Sequence, residues 1–192
     1  MKYMLIGCMA VSLLYAGNAE EGIGEPFDET FSQFKINFAK HEYFEAHAEL
    51  HHLMENFWEK TPLLLRNVRF VRGEDNSYGI YDPKDGNSFA PGEPLYLYLE
   101  PIGYAFKKDA EGYHEFGFKA DFSLEDDEGN VLGGQSDFAN LDFDSWNYNT
   151  EIALTFTYTF TGLETGKYKV ITTVNDKYSK KSATVEQWLY IR

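Results

Sequence analysis

The sequence predicts a mainly β fold: an antiparallel β-sandwich preceded by an N-terminal helical hairpin. Three observations carry that prediction. From Leu63 to the C-terminus apolar residues recur every second position, the period of a strand with one buried face. Clusters of Gly, Asp, Asn and Pro interrupt the alternation at short intervals, as turns do. Ahead of this region, apolar residues recur at spacings of three and four, the period of a helix.

The elements follow in chain order. Met1-Lys2 opens a short basic start, and an apolar stretch runs from Tyr3 to Tyr15. Gly17 and Ala19 then occupy the −3 and −1 positions of a cleavage site ahead of Glu20-Glu21. This is the pattern of a secretory signal peptide over residues 1–19. The apolar stretch is shorter than the roughly 20 residues that span a bilayer. Leu5-Ile6-Gly7-Cys8 also matches a lipobox, so a lipoprotein anchored through Cys8 is the alternative processing route. Cys8 lies in the first half of the apolar stretch, which leaves little upstream to engage an export machinery. Residues 20–26 form an acidic, glycine-containing linker.

The helical hairpin is expected over residues 27–61. Phe27, Phe31, Phe34 and Phe38 stripe one helix face. Tyr43, Ala46, Leu50, Leu53, Met54 and Phe57 stripe a second, out of phase with the first around residues 39–42. Thr61-Pro62 ends the helical pattern. The second helix resembles the second helix of a tetratricopeptide unit. It occurs once, whereas repeat arrays need about three units, so a lone hairpin is expected.

The β region is expected over residues 62–192. Phe116, Phe118, Ala120, Phe122 and Leu124 alternate with polar residues, and Ile152, Leu154, Phe156, Tyr158 and Phe160 alternate with Ala153 and a threonine row. Further strands are expected at 63–72, 78–81, 95–100, 131–136, 167–175 and 183–191, about eight in all. Turn signals separate them at Asp82-Pro83, Asp85-Gly86, Pro91-Gly92, Asp126–Gly129, Gly162–Gly166 and Asn175–Lys180. Such short strands and turns point to an immunoglobulin-like architecture. Leu95–Leu99 is apolar or aromatic on both faces, and Trp188 and Tyr190 lie opposite Leu189 and Ile191. Strands of that kind need cover on both sides, and the hairpin is the expected cover near Trp188 and Tyr190.

Composition narrows the function. Lys and Arg number 17 against 31 Asp and Glu, a formal charge of −14. A nucleic-acid partner is therefore not expected. The single Cys cannot make an internal disulfide framework or a cysteine-rich zinc site. Removal of residues 1–19 would take that Cys with it, leaving a chain held by its core alone. No later segment is long and apolar enough to span a membrane, so none is expected to cross one after processing.

The β region resembles the immunoglobulin-like β-sandwich domain of uncharacterised exported bacterial proteins. The resemblance rests on Pro62-Leu63-Leu64-Leu65-Arg66-Asn67-Val68, on Phe89-Ala90-Pro91-Gly92-Glu93-Pro94-Leu95-Tyr96-Leu97-Tyr98, on GYHEFGFKADFSLEDDEGNV and on GLETGKYKVITTVND. It spans about two-thirds of the chain. It implies fold and export and carries no activity.

Candidate chemistry is sparse. His41, His47, His51 and His52 fall in one stretch, and His47 and His51 sit one helical turn apart. Imidazoles at that spacing can chelate zinc or copper, making His47 and His51 the candidate metal ligands. The HExxH pattern is absent, since Glu45 stands where its second His belongs. Asp82–Asn87 and Asp126–Asn130 are oxygen-rich but lack the EF-hand spacing. No nucleophile motif, phosphate loop or cofactor motif is present, so no catalytic residue and no cofactor are expected. Residues 140–149 mix acids, Asn and aromatics as a binding loop does. Asp142, Asp144, Trp146 and Tyr148 are its candidate ligand-binding residues.

The expected function is a non-catalytic exported protein, periplasmic or extracellular. It would act as a protein-interaction or structural β-sandwich module with a protein partner. The alternative is a carbohydrate- or calcium-assisted ligand-binding module that recognises a cell-surface glycan. A metal-dependent hydrolase is a distant third.

Overall fold

The protein is represented by a computed structural model that describes residues 25–192, with side chains from Phe27 onward. The signal peptide at residues 1–19, the Cys8 anchor and most of the 20–26 linker lie outside the described residues. The chain divides into two compact units, one ending at Leu53 and one running from Met54 to Arg192.

Helix α1 spans Glu25–Ala39 and begins inside the expected linker. Pro26 at its second position explains the early start, because a helix tolerates proline in its first turn. Helix α2 spans Tyr43–Lys60. The phase change between the two apolar stripes is a helix stop. Glu42 N–H donates to the Asn37 carbonyl and His41 N–H to the Phe38 carbonyl, while His41 holds φ at 65°. This is a Schellman closure with histidine in the left-handed position usually given to glycine. A 2.8 Å hydrogen bond between His41 Nδ1 and the Tyr43 hydroxyl helps hold it. The aromatic stripe of α1 forms a ladder, with Phe34 5.8 Å from Phe38 and Phe38 5.8 Å from Tyr43. Phe31, Phe38 and Tyr43 remain exposed, and Phe44 is 91% exposed.

The second unit is two sheets, antiparallel except at one short pairing, sharing one core. Strands β1 (Leu64–Val71), β3 (Leu95–Ile102) and β7 (Leu154–Tyr158) form the smaller sheet in the order β1-β3-β7. The larger sheet runs β2 (Ser88–Phe89), β9 (Ser182–Ile191), β8 (Gly166–Asp176), β5 (His114–Asp126), β4 (Lys107–Lys108), and β6 (Val131–Ser145) also pairs with β5. The short β2–β9 pairing is parallel. Alternation places Leu97 and Leu99 of β3, Phe156 and Tyr158 of β7, Phe118 and Ala120 of β5, Val170 and Val174 of β8 and Leu189 of β9 in a single buried cluster. The sheets touch directly where Tyr158 meets Phe122, and the Tyr158 hydroxyl bonds Thr172 Oγ1 at 2.7 Å.

Three expectations change. Residues 78–81 form no named strand. Ser77 and Ile80 make a tight bridge, and Gly79 has φ of 68°. The segment instead covers the outer face of β3. Gly79 N–H donates to the Tyr98 hydroxyl, and Tyr81 packs on the Tyr98 ring at 4.3 Å. That loop covers the second apolar face of Leu95–Leu99. Trp188 is 38% exposed and is capped by ammonium groups, with Lys167 Nζ 4.0 Å and Lys169 Nζ 5.5 Å from its ring. Lysine ammonium groups and stems thus pack on that ring. Finally, most of the expected 140–149 loop is strand. β6 continues to Ser145, pairing Asp142 with Gly117 and Asp144 with Glu115.

Glu100 sits in the middle of this covered face and is only 2% exposed. Its carboxylate accepts from Tyr98 at 2.8 Å, Asn67 Nδ2 at 2.7 Å and Arg66 at 3.0 Å. Asn67 holds φ at 51° where the β1–β3 register shifts between Arg66 and Arg69. Burial pushes the Glu100 carboxyl up, but the bonds from Tyr98, Arg66 and Asn67 outweigh it and hold the group below its ordinary value of 4.5. A depressed carboxyl contributes stability that is complete above its unfolded value and is lost as pH falls through its folded value. Glu100→Gln should therefore be less stable at neutral pH and show a flatter fall in urea midpoint on acidification below about pH 4.5. A wild-type acid limb that is unchanged by the substitution would overturn this assignment.

Gly103 has φ of 79°, and a Cβ there would lie 2.5 Å from the Pro62 carbonyl oxygen. Both backbone strain and a backbone clash oppose any side chain. Gly103→Ala should lose at least about 2 kcal/mol in urea unfolding.

Candidate functional site

The second unit carries a cleft of about 540 Å³ lined by α2, the β3–β5 connection, the start of β5, the β6–β7 connection and the β8–β9 turn. Its aromatic floor comes from Tyr104, Phe106 and Tyr148. Tyr104 is buried and stacks on Phe116 at 5.1 Å, which anchors the floor to the core. Trp58, in the last turns of α2, meets Tyr104 edge-on at 5.2 Å. Tyr148 lies 4.0 Å from the Phe106 ring and 5.8 Å from His114.

The polar lining is balanced in charge. Glu55 and Glu59 come from α2, and Lys108 and Lys181 face them from the β region. Lys181 Nζ donates to the carbonyls of Gly103 at 2.7 Å and Glu59 at 3.0 Å, tying the β8–β9 turn to both. Burial first, and then the carboxylates of Glu59 and Glu55, push the Tyr148 phenol above its ordinary value, so Tyr148 is a neutral hydroxyl at pH 7. Burial does the same to Tyr104, whose hydroxyl donates to the Asn149 carbonyl at 2.5 Å. Among the described residues, His114 Nδ1 and Trp58 Nε1 are buried without a hydrogen-bond partner. His114 belongs to the cleft lining. A buried polar atom left unpaired is costly and marks a place where a ligand can supply the partner.

Asp176 builds this site without lining it. It is buried, and its Oδ2 accepts from Ala105 N–H at 2.7 Å and Ser179 Oγ at 2.6 Å. Its Oδ1 accepts from Tyr178 N–H at 2.9 Å. One carboxylate therefore locks the β8–β9 turn to the residue between Tyr104 and Phe106.

The sequence candidates are distributed differently from expectation. Tyr148 lines the cleft, but Asp142, Asp144 and Trp146 do not. Asp142 pairs with Lys177 at 2.5 Å, and Asp144 is exposed on β6. Strand alternation turns both away from Phe143, which stacks inward on Phe116. Trp146 is 68% exposed and stacks on Tyr113 at 3.8 Å. His47 and His51 lie on the exposed surface of α2 in the first unit. The oxygen-rich turns serve local structure. Asp126 accepts from Asn130 and Glu128, and its carboxyl is held low first by the Asn130 side chain. Asp82 and Asp85 pair with Arg72. Sequence reasoning missed Tyr104, Phe106, Lys181 and Asp176. Only the Asp-x-x-Ser spacing of Asp176 and Ser179 within a turn hinted at a built corner.

No protein-family model matches the chain, and no curated protein matches it. Among solved structures, a superoxide reductase (neelaredoxin) from Ignicoccus hospitalis aligns at a TM-score of 0.30 and 13% identity, over 57% of this chain and 77% of that one.

Removing the Asp176 carboxylate leaves three part-buried donors, Ala105 N–H, Tyr178 N–H and Ser179 Oγ, without their acceptor. Asp176→Ala should cost about 2–4 kcal/mol in urea unfolding, whereas Asp144→Ala should change stability by less than about 0.5 kcal/mol.

Proposed function

We propose that this protein is an exported, non-catalytic β-sandwich module of immunoglobulin-like topology whose cleft binds a neutral saccharide. The topology is supported by strand order. In immunoglobulin lettering β1-β3-β7 corresponds to A-B-E, and β9-β8-β5-β6 corresponds to G-F-C-C′. The observation that carries the functional reading is where the cleft lies. Its β lining comes from the segments after B, after C′ and between F and G, the end of the sandwich that immunoglobulin variable domains use for recognition.

The lining points to the ligand class. Two carboxylates and two ammonium groups favour a ligand without net charge. Tyr148 and Phe106 offer ring faces for the apolar face of a sugar, and Glu55, Glu59, Ser179 and Lys181 offer groups for its hydroxyls. The volume, about 540 Å³, suits one or two sugar rings rather than a flat protein partner. The non-catalytic reading is supported by Ser179, which donates to Asp176 and is not paired with His114. Export is supported by the signal-peptide pattern of residues 1–19.

A glycan array followed by calorimetry tests the proposal. Binding of one neutral glycan class should weaken at least about tenfold in Tyr148→Ala and stay unchanged in Asp144→Ala. Absence of any glycan binding at high protein concentration, or binding unaffected by Tyr148→Ala, would overturn it.

A further inference from the structure

The first unit holds a second, independent arrangement. His47 and His51 lie one turn apart on α2, both exposed, with ring centroids 4.4 Å apart. Their Nε2 atoms converge to 3.2 Å. A metal–imidazole bond is about 2.05 Å long, so two nitrogens at that separation subtend about 100° at a metal held by both. That angle falls between the 90° of a square-planar centre and the 109° of a tetrahedral one. The i,i+4 spacing on the helix thus holds both nitrogens within chelating distance of one another, and ring rotation completes the site.

We propose that His47 and His51 form a two-imidazole site for a divalent first-row transition-metal ion. Imidazole donors favour copper, nickel and zinc over the hard cations calcium and magnesium. Among the described residues no group of three or more His, Cys, Asp and Glu is arranged around a metal. The site therefore supplies two ligands and leaves the other positions to water or an exogenous ligand. Without metal, one ring's Nε2–H donates to the other ring's Nε2 lone pair. On binding, the donor ring moves its proton to Nδ1 through solvent, and both Nε2 lone pairs turn to the metal. No proton is released overall by two neutral rings. The net charge of −14 raises the local concentration of cations around the site.

Isothermal titration of the full-length chain with copper(II) and zinc(II) tests the proposal, together with the electron paramagnetic resonance of the copper complex. One copper ion should bind, more tightly than zinc, with nitrogen hyperfine structure from two imidazoles. His47→Ala and His51→Ala should each weaken binding by at least about tenfold and leave one-imidazole spectra, while His52→Ala leaves both readouts unchanged. Helix content by circular dichroism should be the same in all variants. Absence of binding at about 100 μM metal, or equal binding and equal spectra in the His47→Ala and His51→Ala variants, overturns it.

Discussion

The buried carboxylate of Glu100 is the constraint on which the smaller sheet depends. It interrupts an otherwise apolar strand, where an unpaired charge would cost several kcal/mol. Its three donors come from two elements: Tyr98 on its own strand, and Arg66 and Asn67 on β1. Satisfying it fixes the irregular register between those strands and the left-handed conformation of Asn67. Tyr98 also accepts from Gly79, so the same network holds the 73–83 segment over the outer face. Among the described residues no disulfide is available, and the polar network supplies register while the shared core supplies cohesion.

A second buried carboxylate does for the cleft what Glu100 does for the sheet. Asp176 joins the β8–β9 turn to the β3–β5 connection, and Lys181 adds the carbonyls of Gly103 and Glu59. Gly103 must be glycine because the chain passes within contact of Pro62 there. The aromatic floor is then fixed by packing, through Tyr104 on Phe116 and Trp58. Glu55, Glu59 and Lys108 complete the lining around that floor.

Most strands were legible because their periodicity is strong and local. Phe116 to Leu124 alternates without a break, and the structure buries that face. The failures share a cause. Tyr78–Tyr81 has strand-forming residues, but Gly79 turns the chain and Tyr98 captures it. Residues 140–145 have the composition of a loop, yet β5 is long enough to pair with them throughout. In both cases a tertiary partner overrode local propensity. The candidate site was less legible still. Tyr148 was recognisable from its neighbours in sequence, but Tyr104, Phe106, His114 and Lys181 come together only when three connections meet at one end.

By itself the sequence determined the mainly β class, two N-terminal helices with a stop near residue 40, and a net acidic composition. Each of these follows from spacing or composition along a continuous stretch, which physical chemistry reads locally. The tertiary structure alone decided that a loop covers β3, that Lys167 and Lys169 cap Trp188, and that Asp176 assembles the cleft. Those outcomes depend on which distant groups must satisfy a buried charge or ring, and no window along the chain contains both partners.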